Sequence, residues 1–299
     1  MTKISVIIPC WNSRKTIEST IQSCLGNNLK YLLEIIVIDD GSSDGSWGIL
    51  QLLSKKIPKL SVYRNPLKGP CSARNFGFQL SRGEYVQWLD SDDTLMDQKF
   101  SSQLLEFERD KSVGVVYSDW ELWIWEDEIR YRVERFVESN RVDVCLDLLR
   151  DKWMPSHNYL VRRDFASLIH LRGGWNTTRK IAQDREYFTQ IALASAKFSY
   201  VPGIFCVYHR RNSASVSQCR NTQQRAMEVL KLLLLIQDQV VQSNRQDYLY
   251  AYYTQLLLAS TYSKQSCTKV PWRSIQWYRI PGVRTKFRAI LRNFRNIGF

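Results

Sequence analysis

The chain has 299 residues, of which 44% are hydrophobic and 24% are charged, and its formal net charge is +13 at pH 7. This composition excludes a disordered or fibrous protein, and the length allows one large domain or one domain with an appendage. The seven cysteines are scattered without a CxxC pair and there are three histidines, which disfavours a zinc framework or disulfide scaffold and favours a reducing, cytoplasmic setting. The positive charge indicates an anionic partner, and nucleic acid, acidic lipid headgroups and nucleotide phosphates all qualify.

The first residues lead directly into an apolar segment without a charged leader, so we expect no secretory signal. The most apolar window, residues 229–236, is too short to cross a bilayer.

The first third of the chain alternates short apolar runs with amphipathic stretches. The runs predict buried strands, and the stretches have the apolar spacing of helices. The expected strands are 3–8, 33–38, 60–63 and 85–89, and the expected helices are 16–25, 43–55 and 70–80. Strands that alternate with helices of this length predict an α/β domain with a mainly parallel central sheet.

The pattern becomes less regular after a further strand at 113–117. The expected elements are a hairpin at 120–131, a helix at 142–150, a short strand at 158–161, a helix at 183–194, and a closing pair of strands, 198–201 and 204–208, around Pro202-Gly203. From residue 222 onward we expect helix only. These patterns predict an α/β domain over residues 1–219 and a helical carboxyl-terminal extension over residues 220–299.

Polar and acidic clusters follow three of the predicted strands, at residues 9–12, 39–42 and 90–93. Ligands of parallel α/β sheets bind beyond the carboxyl ends of the strands, so this edge of the sheet is where we expect chemistry. Three carboxylates within residues 90–93 repel one another, and a hard cation such as Mg²⁺ or Mn²⁺ would relieve that repulsion. A solvated acidic turn is the other interpretation of this cluster.

Four segments then occur in an order and at a spacing that resemble a known family. They are residues 6–12 (VIIPCWN), 38–44 (IDDGSSD), 69–75 (GPCSARN) and 89–93 (LDSDD). Together they resemble the family 2 glycosyltransferases, which have the GT-A fold, a Rossmann-like nucleotide-binding architecture. The resemblance covers residues 3 to about 216 and implies an inverting glycosyltransferase that uses a nucleotide-sugar donor.

The resemblance implies a role for each matching residue of the donor site. The main chain of Pro9 and the side chain of Asp39 would hold the nucleobase, and Arg74 would lie near the base or a phosphate. In the DxD motif, Asp90 would face the ribose or a metal-bound water, and Asp92 would bind Mn²⁺ or Mg²⁺ directly.

The resemblance also implies a catalytic base. Gly173-Gly174-Trp175 precedes a predicted helix that begins with Gln183-Asp184. Asp184 matches the family's base, and Gln183 stands where Glu is common. From the residues alone, Asp184 is equally a helix-initial acid favoured by the helix dipole.

Three further expectations concern the surroundings of the site. Asp93 is expected on the helix side of the motif rather than at the metal. Family members often carry a histidine after the last strand, and the best register places Asn212 there, with His209 at a tyrosine position. The tryptophans of 120–125, Trp153 and above all Trp175 are candidates to stack on acceptor sugars, with burial in the core as the alternative.

Residues 248–299 contain nine Lys or Arg residues and no Asp or Glu. Apolar residues recur at helical spacing from 283 to 297, which is typical of an interfacial membrane helix. We therefore expect peripheral attachment to the inner face of the cell membrane. The alternative is a helix packed on the catalytic domain with a solvated basic face.

The leading hypothesis is a metal-dependent inverting glycosyltransferase. It would move a sugar from a nucleotide diphosphate, UDP being the family's first expectation, to a hydroxyl of a lipid-linked or cell-surface glycan acceptor. Two alternatives remain open: a catalytically inert sugar-nucleotide binding protein, and a nucleic-acid-binding protein that uses the basic tail. Because the tail lacks a recognisable binding motif and the acidic trio repels phosphate, nucleic acid is not an expected partner.

Overall fold

A computed structural model describes residues 3–126, 129–211 and 222–263. These residues form two compact units, one made by residues 3–148 and 152–211 and the other by residues 149–151 and 222–263. The expected boundary at 219/220 lies outside the described residues.

The described part of the first unit is built on one nine-stranded sheet, whose strands lie in the order Leu60–Arg64, Leu32–Asp39, Ile4–Cys10, Tyr85–Trp88, Leu160–Arg162, Val113–Glu126, Lys197–Arg211 and Thr94–Leu95, with Ile129–Phe136 paired to the outer part of Val113–Glu126. The first four strands are β1 Ile4–Cys10, β2 Leu32–Asp39, β3 Leu60–Arg64 and β4 Tyr85–Trp88. They run parallel, as the sequence predicts. The helices between them are α1 Ile17–Ser23, α2 Ser46–Lys56 and α3 Pro70–Leu80.

The second half of the sheet mixes strand directions. Its strands are β5 Thr94–Leu95, β6 Val113–Glu126, β7 Ile129–Phe136, β8 Leu160–Arg162 and β9 Lys197–Arg211. Its helices are α4 Lys99–Arg109, α5 Val144–Leu149, α6 Arg163–Leu171 and α7 Gln183–Leu193. β6 is parallel to β9 and antiparallel to β7 and β8, so the expected hairpin at 120–131 is confirmed.

Helices cover both faces of the sheet, which explains why β1 is buried along its whole length. Ile4, Val6 and Ile8 pack on one face with residues of α1, α2 and α4. Ile7 points to the opposite face, where it packs with residues of α3, α6 and α7. This alternation is the period-2 pattern of a strand between two helical layers.

The expected pair of strands at 198–208 is wrong: these residues form one continuous strand, β9. Pro202-Gly203 is an irregularity in the β6–β9 register rather than a turn. The carboxylate of Asp119 accepts hydrogen bonds from the Tyr200 hydroxyl (2.9 Å) and from the Gly203 backbone N–H (3.3 Å). Because Asp119 satisfies the backbone there, the strand continues through a dipeptide that usually ends strands.

The second unit contains two long helices, α8 Thr222–Gln242 and α9 Gln246–Ser263, which confirms helix from residue 222 to 263. Within the described ranges, no helix combines the length and apolarity needed to span a bilayer. The expected interfacial helix at 283–297 lies outside the described residues.

Lys99, the first residue of α4, is fully buried. Its Nζ donates to the carbonyl oxygen of Asn158 (3.0 Å), and Gln103 Nε2 donates to the same oxygen (3.2 Å). No carboxylate in the described part of the chain pairs with this ammonium. Burial lowers the pKa of Lys99 to about 8. A shift of that size from 10.5 corresponds to about 3 kcal/mol that the charged form costs the folded state.

We predict that Lys99→Met raises the free energy of unfolding by about 1–3 kcal/mol at pH 7, because it removes an unpaired charge and leaves the Asn158 carbonyl its bond from Gln103. Folding lowers the pKa of Lys99, so the folded state binds fewer protons and wild-type stability rises with pH between about 8 and 10.5. The gain from Lys99→Met is therefore full below pH 8 and shrinks above it. Urea unfolding at pH 7 and pH 10 measures both effects.

Lys55→Met, on the exposed surface of α2, is the matched control and should change stability by less than about 0.5 kcal/mol. A Lys99→Met protein less stable than wild type at pH 7 would show that the buried ammonium is a net stabiliser.

Candidate active site

The carboxyl ends of β1, β2 and β4 lie side by side because these strands are neighbours in the sheet. Cys10 is in register with Asp39, and the backbone N–H of Asp40 donates to the Cys10 carbonyl (2.8 Å). The sheet therefore brings together the first, second and fourth sequence segments, as expected from the topology. Pro9 lies inside β1 opposite Ile38, and the role of its main chain in binding a base stays a prediction.

Asp39 is fully buried at the end of β2. Its Oδ2 accepts hydrogen bonds from the backbone N–H groups of Gly41 (3.0 Å) and Ser42 (3.2 Å) and forms an ion pair with Arg64. Its Oδ1 is buried and has no hydrogen-bond partner in the part of the chain that the structure describes. A buried carboxylate oxygen without a donor is costly, and a ligand N–H would satisfy it.

An exposed tryptophan beside this pocket was missed by the sequence reasoning. Trp11 follows β1 and is 65% exposed, unusual for so large an apolar side chain. Its loop is fixed by Asn12, whose backbone N–H donates to Ser42 Oγ (2.9 Å) and whose Oδ1 accepts from the Ser43 backbone N–H (2.8 Å). In the sequence, Trp11 is an aromatic residue in a segment at the end of a strand. Its exposure in the fold is what distinguishes it from a core residue.

Arg74 connects three of the predicted site segments. From α3, its Nη2 donates to Asp90 Oδ1 (2.5 Å) and its Nη1 donates to Gln183 Oε1 (3.2 Å). The guanidinium also lies 4.5 Å from the centre of the Trp175 ring. Arg74 is therefore a buried cation between the acidic loop (residues 90–93) and the start of α7, rather than a solvated surface residue.

Asp184 lies in the first turn of α7 and is partly buried. Burial raises the pKa of the Asp184 carboxyl above its ordinary value, and the nearby Asp90 charge raises it further, against the opposing effects of the Arg185 backbone N–H and Arg74. The structure thus brings Asp184 within electrostatic reach of Asp90 and Arg74. A carboxyl with a raised pKa is suited to accept a proton near neutral pH.

The three carboxylates of the DxDD segment have different surroundings. Asp90 is held by Arg74, whereas Asp93 is fully buried and accepts a hydrogen bond from the His209 backbone N–H (2.8 Å). Asp93 Oδ2 also lies 3.1 Å from His157 Nδ1, without the alignment of a hydrogen bond. Asp93 is therefore turned into the protein, toward β9 and His157 rather than toward a helix, and that it does not bind a metal stays a prediction.

Asp92 is exposed, and among the described residues no other residue forms a hydrogen bond or ion pair with its carboxylate. Although the side chain is exposed, the surrounding protein desolvates its carboxyl. This desolvation, followed by the charges of Asp93 and Asp90, raises the pKa of Asp92 to about 7. An unpaired carboxylate in negative surroundings is a fitting ligand for a divalent cation.

No group of three His, Cys, Asp or Glu side chains within the described ranges is arranged to hold a metal ion. Since Asp90 Oδ1 is engaged with Arg74 and Asp93 is turned inward, Asp92 is the carboxylate of the segment best placed to bind a cation directly. The residues fit Mg²⁺ or Mn²⁺ that takes one protein carboxylate and completes its shell with water and substrate oxygens.

His209 has both ring nitrogens engaged. Its Nδ1 accepts from the Trp125 indole N–H (3.0 Å), which leaves its Nε2–H to donate to Thr94 Oγ1 (2.9 Å). Burial, with the nearby positive charges of Arg211, lowers the pKa of His209 to about 3, so the ring is neutral. This arrangement makes His209 a support for the acidic loop and not a metal ligand. Asn212, the other candidate, lies outside the described residues.

Trp175 is 1% exposed and is a core residue, so the idea that it stacks on an acceptor sugar is wrong. Its ring is stacked on Tyr187 (4.2 Å between centroids) and meets Trp88 edge-on (5.3 Å). The Asn75 side-chain amide exchanges two 2.8 Å hydrogen bonds with the Trp175 backbone. Gly174 must be glycine, because a Cβ there would lie 2.4 Å from Asn75 Oδ1.

The order of the segments, the sheet and the edge they share agree with a known protein family. The model of the family described as Glycosyl transferase family 2 matches residues 5–211. The chain belongs to the family 2 glycosyltransferases. The sequence resemblance is thereby confirmed.

Two curated relatives and one solved structure illustrate the similarity. The putative teichuronic acid biosynthesis glycosyltransferase TuaG of Bacillus subtilis is 36% identical over 181 residues, which cover 56% of this chain and 71% of TuaG. WfaP of Escherichia coli, a UDP-Glc:alpha-D-GlcNAc-diphosphoundecaprenol beta-1,3-glucosyltransferase, is 35% identical over 111 residues, 37% of this chain. The chain spans 43% of the length of WfaP.

Residues 1–349 of S. aureus TarS, solved in complex with UDP-GlcNAc, superpose with a TM-score of 0.68 at 17% identity. The match covers 89% of this chain and 75% of that one. This similarity confirms the GT-A fold.

We predict that Trp175→Ala lowers the free energy of unfolding by about 3–5 kcal/mol, because it leaves a cavity between Tyr187 and Trp88. Trp11→Ala, which removes an exposed ring, should change it by less than about 0.5 kcal/mol. Denaturant unfolding of both variants checks this contrast. Equal effects of the two substitutions would contradict the assignment of Trp175 to the core.

Proposed function

We propose that this glycosyltransferase moves a sugar from a nucleotide diphosphate donor to an acceptor hydroxyl with inversion at the anomeric carbon, and that Asp184 is the catalytic base. The observation that carries the proposal is the juxtaposition at one sheet edge of the unsatisfied Asp39 oxygen, the Arg74–Asp90 pair and Asp184. The geometry offers a hydrogen-bond acceptor for a nucleobase (Asp39), a buried cation (Arg74) and a proton acceptor (Asp184) at one sheet edge.

The nucleobase would be recognised by the buried Oδ1 of Asp39, with Trp11 as the stacking surface. A carboxylate oxygen selects a base with a ring N–H at its pairing edge. Uracil, thymine and guanine carry one, whereas cytosine and adenine present a ring nitrogen acceptor at the equivalent position. This supports UDP, dTDP or GDP as the nucleotide, and the UDP-linked donor in the name of WfaP favours UDP.

In the reaction, the acceptor oxygen forms a bond to the anomeric carbon as the bond from that carbon to the diphosphate oxygen breaks. The nucleoside diphosphate leaves with the electron pair, and Asp184 takes the proton of the acceptor hydroxyl. Attack from the face opposite the leaving group inverts the anomeric configuration. Asp92 would hold a divalent cation, whose charge offsets the negative charge of the leaving diphosphate.

The acceptor is proposed to be a lipid-linked or cell-surface glycan, and the diphosphoundecaprenol acceptor named for WfaP supports the lipid-linked class. An enzyme that uses such an acceptor would act at the inner face of the cell membrane. The nine Lys and Arg residues within 264–299 support this location, since each basic residue near an anionic leaflet contributes about 1 kcal/mol of attraction.

We predict that the protein binds UDP with micromolar affinity in the presence of Mn²⁺ and binds ADP or CDP at least tenfold more weakly. Asp39→Asn replaces an acceptor oxygen and should weaken UDP binding at least tenfold, whereas Asp92→Asn should remove most of the gain that Mn²⁺ provides. Calorimetric titration with and without Mn²⁺ measures each constant. A folded protein that binds none of these nucleotides would refute the transferase proposal.

We predict that Asp184→Asn lowers the rate of transfer by about 10²–10⁴-fold while UDP binding stays within threefold of wild type. Because folding raises the pKa of this base, the wild-type rate should fall as the pH drops through a value above the ordinary carboxyl range. The acidic limb of the pH–rate profile should be absent from the residual activity of the variant. Transfer within tenfold of wild type would exclude Asp184 as the base.

A further inference from the structure

Two tryptophans and two arginines form a layered surface beside the acidic loop. Trp123 and Trp125 are two residues apart on β6, and their ring centroids are 6.2 Å apart. In the sheet, Trp123 is in register with His209 of β9 on one side and with Val133 of β7 on the other. Both rings also contact the ring of His209, so they lie on the face of the sheet that carries Thr94 and the DxDD segment.

Hydrogen bonds hold both indole rings in place. The Trp123 N–H donates to Glu121 Oε2 (2.7 Å), and the Trp125 N–H donates to His209 Nδ1 (3.0 Å). His209 is in turn fixed by Thr94, two residues after Asp92. The position of the Trp125 ring is therefore set by the same loop that presents the outward-facing carboxylate of the donor site.

A guanidinium group covers each ring. The Cζ of Arg130 lies 4.2 Å from the centre of the Trp123 ring, and the Cζ of Arg211 lies 5.1 Å from the centre of the Trp125 ring. Arg211 Nη1 also donates to the carbonyl oxygen of Asp92 (3.4 Å). A guanidinium that lies over an aromatic face keeps its N–H edge available for a bidentate anion.

The other arginines of β7 are already paired, which distinguishes Arg130. Arg132 forms an ion pair with Glu134 (3.0 Å), and Arg135 forms one with Glu121 (2.8 Å). Among the residues that the structure describes, no carboxylate forms an ion pair with Arg130 or Arg211, although the charge of Arg211 acts to lower the pKa of Asp92 and of Asp93. This face of the sheet thus carries two guanidinium groups, each over a hydrogen-bonded tryptophan ring. It lies next to the proposed donor site, which would bind a diphosphate.

We propose that Trp123, Trp125, Arg130 and Arg211 form a second anion-binding subsite, which binds a phosphate group of the acceptor. The proposal rests on the proposed function. It names the acceptor as a phosphorylated molecule, since a phosphate presents the paired oxygens that two guanidinium edges can bind.

The position of the subsite separates it from the donor phosphates. β7 is separated from β9 by β6, so the backbones that carry Arg130 and Arg211 are about 10 Å apart at the usual strand spacing. The two arginines therefore extend from Asp92 outward along the hairpin. Arg211, whose Nη1 donates to the Asp92 carbonyl, is the nearer of the two to Asp92, and Arg130 lies one further strand away, where we assign it to the acceptor.

The test is a calorimetric titration with inorganic pyrophosphate in metal-free buffer with EDTA, without UDP and with UDP at a concentration that a separate titration in the same buffer shows to be saturating. We expect pyrophosphate to bind in both conditions, and Arg130→Gln and Arg211→Gln to weaken binding at least tenfold. Arg130→Lys should restore part of the affinity, because it keeps the charge without the planar fork. Glucuronate, the carboxylate counterpart, should bind at least tenfold more weakly than pyrophosphate.

Arg132→Gln is the matched control, since Arg132 is on the same strand but is paired with Glu134. It should leave pyrophosphate affinity within twofold of wild type. Displacement of pyrophosphate by UDP would overturn the proposal by assigning these arginines to the donor, and so would tighter binding of glucuronate or equal effects of Arg130→Gln and Arg132→Gln. Thermal unfolding of each variant identifies any that fail to fold, and Arg130→Lys then provides the comparison.

UDP binding with Mn²⁺ in the same preparations keeps the two proposals apart. Wild-type protein that binds UDP but no pyrophosphate would overturn the acceptor subsite alone. Wild-type protein that binds neither would overturn the proposed function and the subsite together.

Discussion

The buried guanidinium of Arg74 is the interaction on which the rest of the site depends. It reaches from α3 to Asp90 of the acidic loop and to Gln183 at the start of α7, and it lies on the ring of Trp175. Burying such a charge is costly unless its hydrogen bonds are made, so these elements are held in one arrangement. Since Trp175 is itself packed on Tyr187, the position of Arg74 is also coupled to the hydrophobic core beneath the sheet edge.

The three aspartates of the acidic loop have different partners, although they lie within four consecutive residues. Asp90 receives a positive partner, Asp93 is turned inward toward His209 and His157, and Asp92 is left unpaired and facing outward. Repulsion among the three would be severe if all faced one point. Because Asp90 and Asp93 are engaged with other residues of the protein, Asp92 is the carboxylate of the three that is left to attract a cation.

Much of the fold, and which sequence segments meet at one sheet edge, could be predicted from the sequence. The parallel strands and their terminal segments follow from apolar runs ended by Pro9, Asp39 and Asp90, because strand ends converge whatever the tertiary details. What could not be predicted depends on long-range contacts. Pro202-Gly203 suggested a turn, and only the carboxylate of Asp119 from a neighbouring strand explains why the backbone continues as a strand.

Which tryptophans are buried could also not be predicted from the local sequence. Trp11 and Trp175 both follow strand or turn signals, yet one is exposed at the end of β1 and the other is enclosed by Tyr187 and Trp88. The backbone of Trp175 is held by Asn75, which is 100 residues away in the sequence, and such long-range contacts are not visible in the local sequence. The structural role of His209 likewise appears only when β6 places Trp125 beside it.

The departure at Gln183 has a physical consequence for the proposed base. A glutamate there would place a further carboxylate beside Asp184 and Asp90, with Arg74 as their shared cation. The amide keeps the hydrogen bond to Arg74 without adding negative charge, so more of the Arg74 charge is available to Asp90. Asp184 then owes its raised pKa first to burial and next to Asp90. The residue that differs from the usual family pattern thus adds no negative charge beside Asp184, where burial and the charge of Asp90 already raise the pKa of the carboxyl.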